Sequence, residues 1–129
     1  MKKIFLSSDH AGYKLKESIK LHLDKKKIKY IDLGPFSSDR VDYPDYAHKV
    51  AKKVKINKNN AGILVCGSGM GMNIAANKHK NIRAAQCFNL RSTKLSRLHN
   101  DANIITLGSR LLTNKNALNC VNIFLNTKF

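Results

Sequence analysis

Ile63-Leu-Val-Cys-Gly-Ser-Gly-Met-Gly-Met-Asn-Ile-Ala-Ala-Asn-Lys78 decides the fold. An unbroken apolar run of strand length enters a turn with glycine at positions 67, 69 and 71 and leaves it as a short helical pattern. Continuous rather than alternating apolarity fits a strand covered on both faces, and strand, tight turn and helix in that order make half of a βαβ unit.

The same alternation extends outward in both directions. Upstream, Lys3 to Leu6 and Tyr30 to Leu33 have strand character, the second stopped by Gly34-Pro35. Between them Leu15, Ile19 and Leu23 step at helical spacing within Tyr13 to Lys26. Asp42-Tyr-Pro-Asp45 opens a helix, since Pro44 suits a first-turn position and Asp45 complements the helix dipole; Tyr46, Ala47, Val50, Ala51 and Val54 give it one apolar face. The third strand spans Gly62 to Val65 and the helix after the glycine turn spans Met72 to Lys78. Downstream follow a strand at Ile82 to Cys87, a helix at Ser92 to Asn100, a strand at Asn103 to Leu107 and a helix at Asn114 to Asn126. Strict alternation predicts a three-layer α/β/α, Rossmann-like domain with a five-stranded parallel sheet.

In such sheets ligands bind beyond the carboxyl ends of the strands. That rim collects Asp9 and His10 after the first strand, Cys66 to Gly71 after the third and Arg110 after the fifth. The glycine turn lacks the Gly-Lys-Ser/Thr ending of a P-loop, and Met72 stands where a dinucleotide fingerprint needs glycine. Ser68 is no nucleophile elbow, because Cys66 occupies the place of the leading glycine. What remains is a nest of backbone N–H groups suited to an anion, including an enediolate oxygen. Two readings of Cys66 stay open on spacing alone: a reactive thiol facing that nest, or a small buried residue ending a strand, as Cys87 is expected to be.

Composition narrows the class. The chain has 129 residues, 43% hydrophobic and 25% charged, sufficient for one domain with its own core. Three cysteines form neither a paired framework nor a metal-type doublet, so reduced thiols and no metal site are expected. No apolar run reaches membrane-helix length, and Met1 to His10 has too short an apolar stretch for a signal peptide, so a cytoplasmic protein without membrane contact is expected. The net charge of +16 would suit a polyanion, but 19 of the 24 basic residues are lysines scattered on exposed helix faces, without the interleaved aromatics of single-strand binders. Nucleic acid is therefore not the expected partner.

Four separated motifs together resemble type B ribose-5-phosphate isomerase, in the family that also holds galactose-6-phosphate isomerase subunits. They are Ser8-Asp-His-Ala-Gly12, Asp42-Tyr-Pro44, Cys66-Gly-Ser-Gly-Met-Gly71 with Ile74-Ala-Ala-Asn-Lys78, and Leu98-His-Asn-Asp101 with Gly108-Ser-Arg110. The resemblance runs nearly end to end. It implies interconversion of ribose 5-phosphate and ribulose 5-phosphate without metal or organic cofactor, by a homodimer or tetramer with sites at the subunit interface. It makes Cys66 the base that moves a proton between C1 and C2. The branch of the family that uses a glutamate instead is disfavoured, because Asn73 to Asn77 contains no acid.

By the same resemblance Gly67, Ser68, Gly69, Met70 and Gly71 hold the enediolate, with the Ser68 hydroxyl preserved, and His99 opens the furanose ring. Asp9 and Asn100 contact sugar hydroxyls, Tyr43 walls the pocket, and His10 and Arg110 contact the phosphate. Each position also has a purely structural use: Asp9 or Asn100 as a helix cap, Tyr43 in the core, His99 against a helix dipole, Arg110 in a surface ion pair. His22, His48 and His79 match no motif and are expected on helix surfaces.

The chain ends at Phe129, where the family's glycine-arginine-histidine tail would begin. The expectation is one domain over residues 1–129; either it lacks that tail and holds phosphate less tightly unless the lysine excess compensates, or the sequence continues beyond Phe129. Alternatives are a galactose-6-phosphate or allose-6-phosphate isomerase subunit, and a non-catalytic polyanion binder on the same scaffold.

Overall fold

In a computed structural model, which describes residues 3–129, ten elements alternate along the chain. Their order is β1 (Lys3–Ser8), α1 (Tyr13–Lys25), β2 (Ile31–Asp32), α2 (Tyr43–Val54), β3 (Asn60–Cys66), α3 (Met70–Ala76), β4 (Ala84–Gln86), α4 (Leu90–Leu98), β5 (Ile104–Gly108) and α5 (Asn114–Asn126). The strands form one parallel sheet in the order β2-β1-β3-β5-β4. All five expected strands and five expected helices are present. The edge strands β2 and β4 are shorter than their apolar runs suggested, as befits strands with one pairing partner each.

The central strand β3 is buried on both faces, with successive side chains entering opposite cores. Ile63 and Val65 pack with Leu15, Ile19 and Leu23 of α1 and with Val121 and Phe124 of α5. Leu64 and Cys66 face Val50 of α2 and Met72 and Ala76 of α3. The cleft described below lies where the chain changes direction, since connections from β1 and β3 leave toward opposite edges of the sheet.

Two helices begin earlier than their sequence patterns implied, α4 at Leu90 rather than Ser92, where Asn89 caps it by accepting from the Ser92 N–H, and α3 after the glycine turn. Gly69 adopts φ +80°, the left-handed region that favours glycine, and serves as the N-cap of α3, so that helix starts at Met70 rather than Met72.

A second organising feature is fully internal and departs from the expectation that the helix lysines are exposed. The Lys16 side chain is 0% exposed, and its Nζ donates to Asp32 Oδ1 (2.8 Å), Asp32 Oδ2 (2.7 Å) and the Pro35 carbonyl (2.9 Å). Asp32 Oδ1 also accepts from the Gly34 N–H at 2.8 Å. The ion pair thus fastens α1 to the chain that leaves β2 toward Tyr43.

Candidate active site

Three loops meet at the carboxyl rim because the strands beneath them are in register. Ser8 pairs with Val65, and Cys66 pairs with Gly108, so Asp9, Cys66 and the residues after β5 become neighbours. Backbone bonds continue the sheet upward: Asp9 N–H to Val65 O (3.1 Å), Ser109 N–H to Cys66 O (2.8 Å) and Arg110 N–H to Gly67 O (2.9 Å). Ser109 Oγ ties the third loop to the first by donating to the Ala11 carbonyl at 2.8 Å. Gly108 permits this closure, for a Cβ there would lie 2.6 Å from the Ser68 carbonyl oxygen.

The loops enclose a cleft of about 340 Å³ lined by Asp9, Tyr43, Cys66, Gly67, Ser68, Gly71, Arg110 and Leu111. That volume lies at the lower end of the range for small-molecule sites. Cys66 is 4% exposed and accepts a hydrogen bond from the Gly69 N–H, 3.2 Å from Sγ. Asp9 is 9% exposed and lines the cleft; its Oδ1 accepts from the Gly12 N–H at 2.9 Å, bracing the turn before α1, whose N-cap is Gly12 rather than Asp9. The Tyr43 ring rests on Gly71, where a Cβ would come within 2.7 Å of it. The Arg110 guanidinium lies over Gly67.

The glycine turn differs in detail from the expected ring of donors. Gly69 is buried beneath Leu107 and Gly108, with its N–H given to Cys66, and the Met70 N–H donates to Ser68 Oγ at 3.1 Å. Neither residue lines the cleft. No such bond within the described residues holds the N–H groups of Ser68 and Gly71, both of which do line it. Gln86 Nε2 fixes the turn from β4 by donating to the Ser68 carbonyl at 2.9 Å.

The remaining expected site residues sit elsewhere. His10 is exposed beside the cleft, its Nδ1 accepting from the Val41 N–H at 3.3 Å. His99 and Asn100 follow α4, which runs from the carboxyl rim down to the amino rim, and they precede β5. Since β5 spans five residues and its end pairs with Cys66, the two lie about 16 Å of strand away from the cleft of their own chain. Both are exposed, and neither side chain makes a hydrogen bond among the described residues.

Two features escaped the sequence reading. Leu111 walls the cleft while 59% exposed; its only signal was an apolar residue directly after Gly108-Ser-Arg110. The three unmatched histidines are partnered rather than simply displayed: His48 Nδ1 lies 2.7 Å from His79 Nε2, and His22 Nε2 lies 2.7 Å from Asn122 Oδ1. Burial, together with His48, Lys55 and Lys52, holds the His79 pKa below the usual histidine value. Burial pushes the Cys87 thiol up to about 11 and raises that of Cys120, consistent with both being core residues. Among the described residues no group of three or more His, Cys, Asp or Glu side chains is arranged to hold a metal ion, and no helix is long and apolar enough to cross a membrane.

Comparison with known proteins agrees with the fold. A family model described as Ribose/Galactose Isomerase matches residues 4–129. Ribose-5-phosphate isomerase B of Escherichia coli strain K12 is 47% identical over 112 residues, covering 87% of this chain and 75% of that protein. The solved ribose-5-phosphate isomerase B of Clostridium thermocellum superposes with TM-score 0.95 at 46% identity, covering 98% of this chain and 86% of that one. The Mycoplasma genitalium enzyme, solved with bound ribulose-5-phosphate, gives TM-score 0.96 at 42% identity, covering 99% and 86%. With fold and nearly the whole length in agreement, the chain belongs to the ribose/galactose isomerase family.

Proposed function

We propose that this chain interconverts D-ribose 5-phosphate and D-ribulose 5-phosphate through an enediolate, with Cys66 as the base. The observation that carries the reading is the buried Cys66 sulfur at the cleft floor, already oriented as an acceptor by the Gly69 N–H and sharing the cleft with a carboxylate and a guanidinium. The relative solved with ribulose-5-phosphate supports the substrate class.

In the aldose-to-ketose direction the Cys66 thiolate takes the C2 proton, and the electron pair forms the C1–C2 double bond of the enediolate. The thiol returns its proton to C1 while the O2 hydroxyl proton departs and O1 gains one, leaving the ketone at C2 with no net change in atoms. The Ser68 and Gly71 N–H groups suit the oxygen on which negative charge develops; one such donor is typically worth about 10²- to 10³-fold in rate. Arg110 suits the phosphate and Asp9 a sugar hydroxyl. Cys66→Ala should lower turnover of ribose 5-phosphate by at least about 10²-fold with the fold intact, and turnover within tenfold of the parent protein would remove Cys66 from this role.

His99 and Asn100 enter the reading through a second copy. Their exposed, unbonded side chains on the far rim, and the solvent-exposed Met70 (52%), Ile74 (62%), Phe88 (58%) and Leu111 (59%), support a shared site in a homodimer, with His99 opening the ring. Mixing inactive Cys66→Ala and His99→Ala proteins under subunit exchange tests this. Random pairing makes half the dimers mixed, each with one intact site of two, so about a quarter of parental activity should return; no recovery would exclude the shared arrangement.

A further inference from the structure

We propose that Asp101, gripped by Arg97 and Arg83, is a positioning residue that sets His99 for ring opening. The inference rests on the reading of His99 given above and extends it to residues that touch no substrate. Asp101 is a non-glycine residue at φ +49°, where the chain turns from α4 toward β5. Such a conformation persists where surrounding contacts over-determine it.

The contacts come from three elements. Arg97, 5% exposed, donates from Nη1 to Asp101 Oδ1 (2.8 Å) and the Ala102 carbonyl (2.7 Å), and from Nε to the Thr127 carbonyl at the end of α5 (2.9 Å). Arg83, just before β4, donates from Nε to the Asp101 carbonyl (2.8 Å) and from Nη2 to Asp101 Oδ2 (3.3 Å). The Asp101 N–H returns to the Arg97 carbonyl at 3.3 Å. Every polar group of Asp101 is thereby engaged, whereas the side chains of His99 and Asn100, on the same turn, are bonded to nothing within the described residues. A turn fixed this firmly around two open polar side chains is a mount for groups that act outside their own chain. The His99 backbone completes it, its N–H donating to the Leu95 carbonyl at 3.0 Å.

The test separates ring opening from proton transfer. Ribulose 5-phosphate carries its phosphate on the oxygen a furanose ring would need, so it is open-chain and its C1 hydrogens can exchange with deuterated water through Cys66 alone. Conversion of ribose 5-phosphate also requires the ring to open. Asp101→Asn keeps a residue tolerant of positive φ but removes the charge that both arginines grip; Arg83→Gln releases the exposed half of the clamp without touching buried Arg97. For each variant, and for His99→Ala, C1 deuterium exchange into ribulose 5-phosphate is followed by NMR beside kcat/KM for ribose 5-phosphate.

Exchange should stay within about threefold of the parent while kcat/KM falls about tenfold to a hundredfold, the scale of an ångström-level misplacement, with Arg83→Gln the milder. Equal losses in both measurements, or no loss in either, would overturn the positioning role. If His99→Ala itself fails to separate the two measurements, the ring-opening reading fails; if it separates them and Asp101→Asn does not, the clamp inference alone is wrong.

Discussion

Replacing Lys16 with methionine should cost the protein about 3 kcal/mol of stability. Methionine refills the aliphatic stem, so no cavity is added, and what is lost is the ammonium with its bonds to both Asp32 oxygens and the Pro35 carbonyl. Breaking a buried ion pair from one side typically costs about 3 to 5 kcal/mol, because a charge stays behind unmatched. Here Asp32 keeps Lys20 Nζ at 2.8 Å and the Gly34 N–H at 2.8 Å, which places the expected cost at the lower end. At a urea slope of about 1.5 kcal/mol per molar, the unfolding midpoint should fall by about 2 M at fixed protein concentration.

The acid limb of the stability curve should change as well. Burial raises the Asp32 pKa, but hydrogen bonds from Lys16, Lys20 and the Gly34 N–H outweigh it and hold the carboxyl below its usual 3.8. A depressed carboxyl contributes stability above the unfolded pKa that disappears as pH falls through the folded value, so the loss lies below about pH 4, and Lys16→Met should shrink it. A midpoint change under 0.5 M, or an unchanged acid limb, would refute the assignment of Lys16 as the tie between α1 and the chain after β2.

Three further outcomes follow, two from the cleft and one from the His48–His79 contact. Iodoacetamide on the native protein should modify Cys66 ahead of Cys87 and Cys120, whose thiols are buried and raised in pKa, and ribulose 5-phosphate should slow that modification; peptide mass mapping of equal labelling at all three would contradict the cleft geometry. Gly71→Ala should raise KM about fivefold with kcat nearly unchanged, because the new methyl displaces the Tyr43 ring while the helix itself gains from alanine; steady-state kinetics decide, and an unaltered KM would show that the ring does not wall the substrate. His79 binds its proton more weakly when folded than when unfolded, so stability should decline as pH drops through about 6.5, and His79→Gln should flatten that part of a thermal-melt profile; an identical slope in the variant would discount the His48–His79 contact.

Periodicity made the order and type of all ten elements legible, and the rule that parallel sheets bind ligands at strand carboxyl ends made Asp9, Cys66, Gly67, Ser68 and Arg110 legible as neighbours. The same rule placed Gly71 on that rim, and Tyr43 joined them through motif resemblance. Periodicity reports which face a residue occupies, not what stands opposite, so the His48–His79 contact between α2 and the chain after α3 stayed hidden. The start of α3 was misplaced because a left-handed Gly69 caps it, a backbone choice that a run of glycines leaves undetermined. His99 and Asn100 were assigned to the site by motif, yet they stand at the opposite rim of the sheet from Cys66. A motif assigns a residue to a site without fixing where in the fold it stands, and it is this separation that the proposed shared site answers.

The pairing of Ser8 with Val65 and of Cys66 with Gly108 has a consequence for how far this chain can drift in composition. The spacing of carboxylate, sulfur and guanidinium loops is set by main-chain ladders that any strand-forming sequence can supply. A surface rich in lysine, with a net charge of +16, is therefore compatible with the same loop spacing. The geometry of the cleft thus resides in the register of three strands more than in the identity of the side chains along them.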